Sequence, residues 1–259
     1  MNKIFIEVFG DINREEQLPI AKKIGFDGFF SGPDYACKIE ELKKYRVLGD
    51  TLEMEYETSH STIPGCCEIW LDGEKGDAYI AKLLCAVDNC AAINIPTLIV
   101  HIQTEHRSNT SLKRGLKRLE PVVQAAKEKG VKIAFENVDA PEYLYKTLEY
   151  FNEPHIGFCY DSGHEACFTP GIRLLPVLGH RLICTHLNDN DGKADLHLLP
   201  FDGAIDFNRI CTELKEIGYK GNLTFELCYS KDYAKKMTKQ EFMEACYVHA
   251  LKMREMING

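Results

Sequence analysis

The stretch Arg181-Leu-Ile-Cys-Thr-His186-Leu-Asn-Asp-Asn-Asp191, with Asp195 and His197 close behind, decides how the fold is read. Its first half is a short apolar run suited to a buried strand, and its second half is dense in imidazole, carboxylate and amide groups. Ligand-type side chains therefore gather at and just beyond the C-terminal end of one strand. In α/β folds that end is where chemistry is placed.

Working outward, the same pattern recurs along the chain. Strand-like runs are Lys3 to Phe9, Gly25 to Phe30, Leu52 to Ser59, Thr97 to Ile102, Lys132 to Glu136, His155 to Tyr160, Leu182 to His186 and Leu223 to Glu226. Each is short and rich in Ile, Val, Phe, Leu or Thr, as expected of strands buried on both faces. Helical periodicity fills the intervals, notably Gly76 to Ile93, Ser111 to Lys129, Phe207 to Ile217 and Lys239 to Met256. Glycine follows two of these at 130 and 218, where a helix stop needs a left-handed residue. Eight strand–helix repeats predict an α/β fold, a closed (β/α)8 TIM barrel forming a single domain over residues 1–259, with its catalytic face at the strand C-terminal ends. A doubly wound open sheet is the runner-up, but Phe9-Gly10-Asp11 is not the glycine-rich phosphate loop that fold usually carries.

Composition sets bounds on function. The chain has 259 residues, 45% hydrophobic and 27% charged, and a net charge of −8. Acidity weighs against sequence-independent nucleic-acid binding, which rests on phosphate neutralisation. Eleven cysteines without a CxxC motif suggest reduced thiols rather than a disulfide framework. An early acid, Glu7, interrupts any signal-peptide core, and no run reaches ~18 apolar residues. A cytoplasmic protein without membrane association is expected.

Polar residues then fall at the strand ends: His60 ends the third, His101 the fourth and Glu136 the fifth, Asp161 and His164 follow the sixth, and His186 ends the seventh and Glu226 the eighth. A lone histidine at such a position is more often a hydrogen-bonded core residue than a ligand. Glu136 and Glu226 are harder to dismiss, because each directly follows three strand residues and a desolvated carboxylate needs a cation or strong donors. Asp195 and His197 lie in a loop, where exposure is the default, and Asp189 to Asp191 read as solvated loop polarity. Asp206 reads as the cap of the helix beginning at Phe207.

Glu136, Asp161, His186 and Glu226 form a mostly carboxylate set with one imidazole. Such ligands suit a divalent metal, Mn²⁺, Mg²⁺, Co²⁺ or Zn²⁺, with positions open to substrate oxygens. Glutamates on opposite sides of a bound ketose would exchange protons with either face, as epimerisation or aldose–ketose isomerisation requires.

The segments Phe135-Glu136-Asn137, Asp161-Ser-Gly-His164, His186-Leu-Asn-Asp-Asn-Asp191 with Asp195-Leu-His197, and Phe225-Glu226-Leu227 resemble the xylose isomerase-like barrel superfamily. That group contains sugar and sugar phosphate isomerases and epimerases, and the endonuclease IV-type apurinic endonucleases. Within the tagatose/psicose 3-epimerase type, the resemblance implies that Glu136, Asp161, His186 and Glu226 bind the metal and that the two glutamates are the acid/base pair. His164 would contact substrate, Glu142 is a further candidate, and His60 and His101 would line the same pocket. Where these epimerases usually carry an arginine six residues after the seventh-strand histidine, this chain has Gly192.

The endonuclease pattern also finds a candidate for every zinc ligand: His60, His101, Glu136, Asp161, His164, His186, Asp195, His197 and Glu226. His60, His101, His164, Asp195 and His197 would then be additional metal ligands, and a bridging hydroxide would attack a phosphodiester. The nucleic-acid side is poor, however. Ser61-Thr-Ile-Pro-Gly65 lacks the aromatic–aliphatic wedge of that family, and Gln103-Thr-Glu-His-Arg107 is mixed rather than basic. The expectation is a metal-dependent sugar or sugar phosphate isomerase or epimerase working through an enediolate on a small-molecule sugar. Homo-oligomer formation is left open. A multi-zinc hydrolase is the alternative, and a sugar-binding barrel without turnover ranks third, since a passive binder has no need of two facing glutamates.

Overall fold

Runs of four to seven residues, apolar in most cases but polar in the third, form eight strands. They are β1 Ile4–Gly10, β2 Gly28–Ser31, β3 Glu55–His60, β4 Thr97–Val100, β5 Lys132–Glu136, β6 Ile156–Asp161, β7 Leu182–His186 and β8 Leu223–Tyr229. Among the described residues, ten α-helices alternate with them: α1 Arg14–Ile24, α2 Ile39–Leu52, α3 Glu74–Ala92, α4 Leu112–Lys129, α5 Pro141–Tyr150, α6 Ser162–Phe168, α7 Leu175–Leu178, α8 Phe207–Glu216, α9 Lys231–Ala234 and α10 Lys239–Asn258. The computed structural model describes residues 1–33, 35–103 and 107–259.

All eight expected strands are present, with shifted ends. The second starts at Gly28 because Gly25, at φ 123°, caps α1 instead, its N–H donating to the Ala21 carbonyl. The third starts at Glu55 because α2 runs to Leu52 and Glu53 turns the chain at φ 52°. Helix ends follow local chemistry: Ser111 caps α4, Gly130 closes it at φ 70°, and Thr238 with Glu241 forms a reciprocal capping box on α10.

The chain divides into two compact units. The first comprises Met1–Phe30, Tyr45–Tyr56 and Tyr160–Gly259. Its main ladder is β1 against β8, parallel from Ile4↔Leu223 to Gly10↔Tyr229, and β2 joins β1 on the other side. Leu187, just past β7, bridges in parallel to Phe225 of β8. Phe29, Tyr45 and Tyr56 stack in its core, and α10 packs along α1 and α8.

The second unit comprises Ser31–Lys44 and Glu57–Cys159. Its strands run in the order β3, β4, β5, β6, all parallel, with Ile99 matched to His60 and Cys159 to Glu136. Its centre is Trp70, fully buried, whose indole N–H donates to the Ile102 carbonyl at 2.6 Å and whose ring lies 4.7 Å from that of Tyr143.

Gly115 of α4 sits against that indole, and a Cβ there would run into the ring. Gly115→Ala gains about 1 kcal/mol of helix propensity. Overpacking a closed core costs about 1–3 kcal/mol and outweighs it. The variant is expected to melt below the parent protein in a thermal scan; an unchanged or higher melting temperature would show that Trp70 can move aside.

Candidate functional site

In the second unit, His60 closes β3, Glu136 closes β5, and His101 stands one residue beyond β4. All three are buried. His60 Nε2 lies 3.2 Å from both His101 Nε2 and Glu136 Oε2, and His101 Nε2 lies 2.9 Å from the same carboxylate oxygen. His60 Nδ1 is 2.7 Å from the Ser61 carbonyl, which can only accept. The proton of a neutral His60 ring therefore sits on Nδ1, and its Nε2 lone pair faces the Glu136 oxygen. Two lone pairs facing at that distance repel unless a proton or cation joins them. A histidine oriented through its other nitrogen in this way is typical of metal ligands. Glu142, also in this unit, lies exposed in the first turn of α5, where its charge complements the helix dipole.

In the first unit, Asp161 ends β6 and His186 ends β7. Glu226 does not end its strand as expected: β8 continues to Tyr229, so Glu226 is an interior residue in register with Glu7 of β1. His186 Nδ1 lies 3.2 Å from Glu226 Oε2, and the Phe30 ring stacks on the imidazole at 4.6 Å.

Asp161 is fully buried, with one oxygen accepting the His164 backbone N–H at 2.7 Å and the other the Asn188 side-chain amide at 2.8 Å. Ser162 Oγ donates to the Asn188 carbonyl at 2.7 Å, and Asn190 Nδ2 donates to the Gly163 carbonyl at 2.8 Å. The segments Asp161-Ser-Gly-His and Asn188-Asp-Asn thus interlock. Gly163 is required there, because a Cβ would collide with the Asn188 side-chain oxygen.

This corrects the reading of Asp189 to Asp191 as solvated polarity. Asn188, Asp189 and Asn190 are wholly buried, and Asp189 accepts backbone N–H groups of Asn190, Gly203 and Ile205. Only Asp191 is exposed, and it turns the chain by accepting from Lys193 and Ala194. An antiparallel bridge between Asp189 and Leu198 then folds the loop back.

That return places His197 and Asp195 beside His164. Asp195 Oδ2 is 3.3 Å from His164 Nε2 and 3.2 Å from His197 Nε2, while His197 Nδ1 is 3.1 Å from the Glu226 carbonyl. Ligand atoms of the three side chains lie within 4.8 Å of one another. Burial opposes charge on His197. The Asp195 hydrogen bond and the negative charges of Glu226, Asp195 and Asp161 outweigh it and push the imidazole up to about 9. Burial also opposes ionisation of Asp195, but the two histidines hold its carboxyl well below the usual carboxylate range. Asp206 caps α8 as expected, accepting from Arg209 N at 3.1 Å. Of the mixed segment after β4, Thr104, Glu105 and His106 lie outside the described residues; Arg107 pairs with Glu68 at 2.8 Å.

Two residues escaped the sequence reading. Asn188 looked like loop polarity, although its spacing of two from His186 repeats a strand period. Glu7 is an acid inside the apolar run Ile4-Phe5-Ile6-Glu7-Val8, a signal that was legible. It is buried, accepts from Tyr45 Oη at 3.0 Å, and its burial, against the Tyr45 hydrogen bond and with the help of nearby Glu226, pushes its carboxyl up to about 8.

The family described as Xylose isomerase-like TIM barrel matches residues 18–246. The chain belongs to this family. Its strands and helices accordingly build the (β/α)8 barrel expected from their alternation. The solved structure of a D-tagatose 3-epimerase-like protein shares 20% identity and a TM-score of 0.80, covering 98% of each chain. The IOLI protein with a binding zinc atom gives 19% and 0.77, over 96% of this chain and 97% of that one. D-allulose 3-epimerase from Methylomonas sp. in complex with D-allulose gives 15% and 0.75, over 98% and 97%. These likenesses are of fold. Among curated sequences, protein y4fM of Sinorhizobium fredii is 29% identical over 185 residues, 66% of this chain and 58% of its own length. Protein MJ1311 of Methanocaldococcus jannaschii is 30% identical over 145 residues, 51% and 50%. The chain thus matches between half and three fifths of these relatives' lengths.

Two outcomes are expected of this xylose isomerase-like chain. Asn188→Ala strips one donor from a buried carboxylate, a loss of about 1–3 kcal/mol, so its melting temperature should fall; a variant as stable as the parent would show Asp161 is held otherwise. Glu7 is protonated when folded, so between about 4.5 and 8 the folded state binds the extra proton and stability declines as pH rises, on the order of 1 kcal/mol per pH unit. Glu7→Gln should therefore match the parent near pH 4.5 and exceed it increasingly toward pH 8 in thermal melts. Parallel melting curves for the two proteins would contradict the raised value.

Proposed function

We propose that the protein, acting over residues 1–259 as one barrel domain in the cytoplasm, is a metal-dependent epimerase or isomerase of a small sugar or sugar phosphate. The observation that carries this reading is the pair Asp161 and His186, buried and locked in place, with Glu226 held against His186. Family membership supports it, because strand ends of a (β/α)8 barrel gather on one catalytic face. Eleven cysteines, none in a disulfide, suit a reducing compartment, and no described helix is long and apolar enough to cross a membrane.

The donor chemistry fits a divalent cation: three buried carboxylates, Glu136, Asp161 and Glu226, with the imidazole of His186. Held by these four, such an ion would stabilise the negative charge that a ketose oxygen gains as the neighbouring carbon loses its proton. Glu226 and Glu136 are the proton carriers in this reading. One carboxylate takes the proton from the hydroxyl-bearing carbon to leave an enediolate, and the other returns a proton to the opposite face, inverting that centre. His164, with Asp195 behind it at 3.3 Å, orients a substrate hydroxyl. Asn188 keeps Asp161 from turning, and Phe30 keeps the His186 ring in one plane.

A second reading is favoured by one specific observation. His60–His101–Glu136 and His164–Asp195–His197 are further clusters with metal-ligand spacing, as a multi-zinc phosphodiesterase of the endonuclease IV type requires.

The test is turnover of D-tagatose and D-allulose with added Mn²⁺ in D2O. Solvent deuterium should enter the product at the inverted carbon. Glu136→Gln and Glu226→Gln should each lower kcat by about 10²–10⁴, with unchanged circular dichroism. Full activity in either variant would contradict the two-carboxylate mechanism. Efficient nicking of abasic DNA, with no deuterium incorporated into either sugar, would favour the hydrolase.

A further inference from the structure

The site described above uses none of the cysteines, and most of these are buried. Cys66 and Cys67 are sequence neighbours with sulfurs 3.9 Å apart, but Cα atoms across one trans peptide lie about 3.8 Å apart, inside the ~4.4 Å minimum of a relaxed disulfide. Cys37 and Cys85 differ from these. Both are exposed, and they come from different elements of the second unit: Cys37 from the segment between β2 and α2, Cys85 from the middle of α3.

The contact between those elements is built residue by residue. Cys37 Sγ donates to the Lys82 carbonyl at 3.3 Å. Cys85 is three residues further along α3 and Asn89 four beyond that, so all three share one helix face. Asn89 Nδ2 donates to the Ala36 carbonyl at 2.8 Å and lies 3.7 Å from Cys85 Sγ. The Ala36-Cys37 backbone is thereby laid along this face, with Cys37 Sγ against the Lys82 carbonyl and Cys85 Sγ beside the Asn89 amide that holds Ala36. Part-burial and the adjacent Cys85 push the Cys37 thiol up to about 11, which keeps it protonated at neutral pH.

We propose that Cys37 and Cys85 are a redox-modification site, which a peroxide closes into a disulfide fastening the segment after β2 to α3. The exposed Cys85 sulfur attacks one peroxide oxygen, breaking the O–O bond; with hydrogen peroxide the thiol proton leaves with the departing hydroxyl as one water, and Cys85 is left as a sulfenic acid. The Cys37 sulfur then displaces the sulfenic hydroxyl. The S–S bond forms, the Cys37 proton leaves with the hydroxyl as a second water, and two thiols have been oxidised by one peroxide. The closed bond spans 47 intervening residues, including all of α2 and β3, and the docking contacts already hold its ends together.

Hydrogen peroxide on the full-length protein, read by intact mass and non-reducing peptide mapping, tests this. The expected result is a loss of about 2 Da, from two hydrogens, with the Cys37 peptide joined to the Cys85 peptide and released by dithiothreitol. In Cys37→Ser the loss should vanish and a sulfenic acid should become trappable by dimedone at Cys85; in Cys85→Ser neither should occur. A crosslink between any other pair, persistence of the 2 Da loss in either variant, or oxygen addition at Cys85 of the parent protein without a crosslink would overturn the proposal. These readouts need no sugar turnover, so they stand or fall separately from the proposed reaction.

Discussion

Asp161 reaches a fully buried position with both carboxylate oxygens already committed, one to the His164 backbone N–H and one to the Asn188 amide. Those two bonds fix the end of β6 and the start of the loop after β7 in a single arrangement. Gly163 must lack a side chain for the segments to close, and Ser162 and Asn190 complete the lock. The loop's course follows: Asp189 gathers three backbone N–H groups, the chain reverses at Asp191, and Asp195 and His197 come back against His164 and the Glu226 carbonyl. Without the lock, a desolvated carboxylate would be left short of donors, a cost of several kcal/mol.

This arrangement separates residues that hold the site from residues that can do chemistry. Asn188 commits its amide to Asp161, and Asp189, Asn190 and Ser162 bond to backbone groups. His186 and Glu226 meet in a nitrogen–oxygen contact of 3.2 Å, the kind of contact a shared proton or cation would strengthen. In the second unit, His60, His101 and Glu136 converge in the same way, with His60 turned toward the carboxylate by the Ser61 carbonyl. Asp195 is the exception: flanked by two imidazoles, it forms a charged cluster complete in itself.

The amino-acid sequence disclosed the eight strands and nearly all the ligand-type residues, because buried parallel strands are short apolar runs and a polar residue ending one is conspicuous. Glu136, Asp161 and His186 stand where that logic put them. Glu226 does not end its strand, since Cys228 and Tyr229 prolong the pairing with β1 and an apolar run alone cannot tell where pairing stops. The burial of Asn188 to Asn190 was illegible for a related reason: their partners, Asp161 to Gly163, are some 27 residues away, and polar residues in series look solvated unless those partners are known. Glu7 shows the converse. An acid among four apolar residues was visible, but its raised pKa comes from burial in the folded core with Glu226, 219 residues away in sequence, beside it.

On the proposed function, Asp161, His186 and the two glutamates hold one divalent ion for sugar chemistry. Metal content of the protein, purified without added metal and measured by inductively coupled plasma mass spectrometry, tests it most directly. About one ion per chain is expected, with near-complete loss in His186→Ala while the melting transition stays cooperative. Two or three zinc ions per chain, or full retention of metal in that variant, would contradict the account.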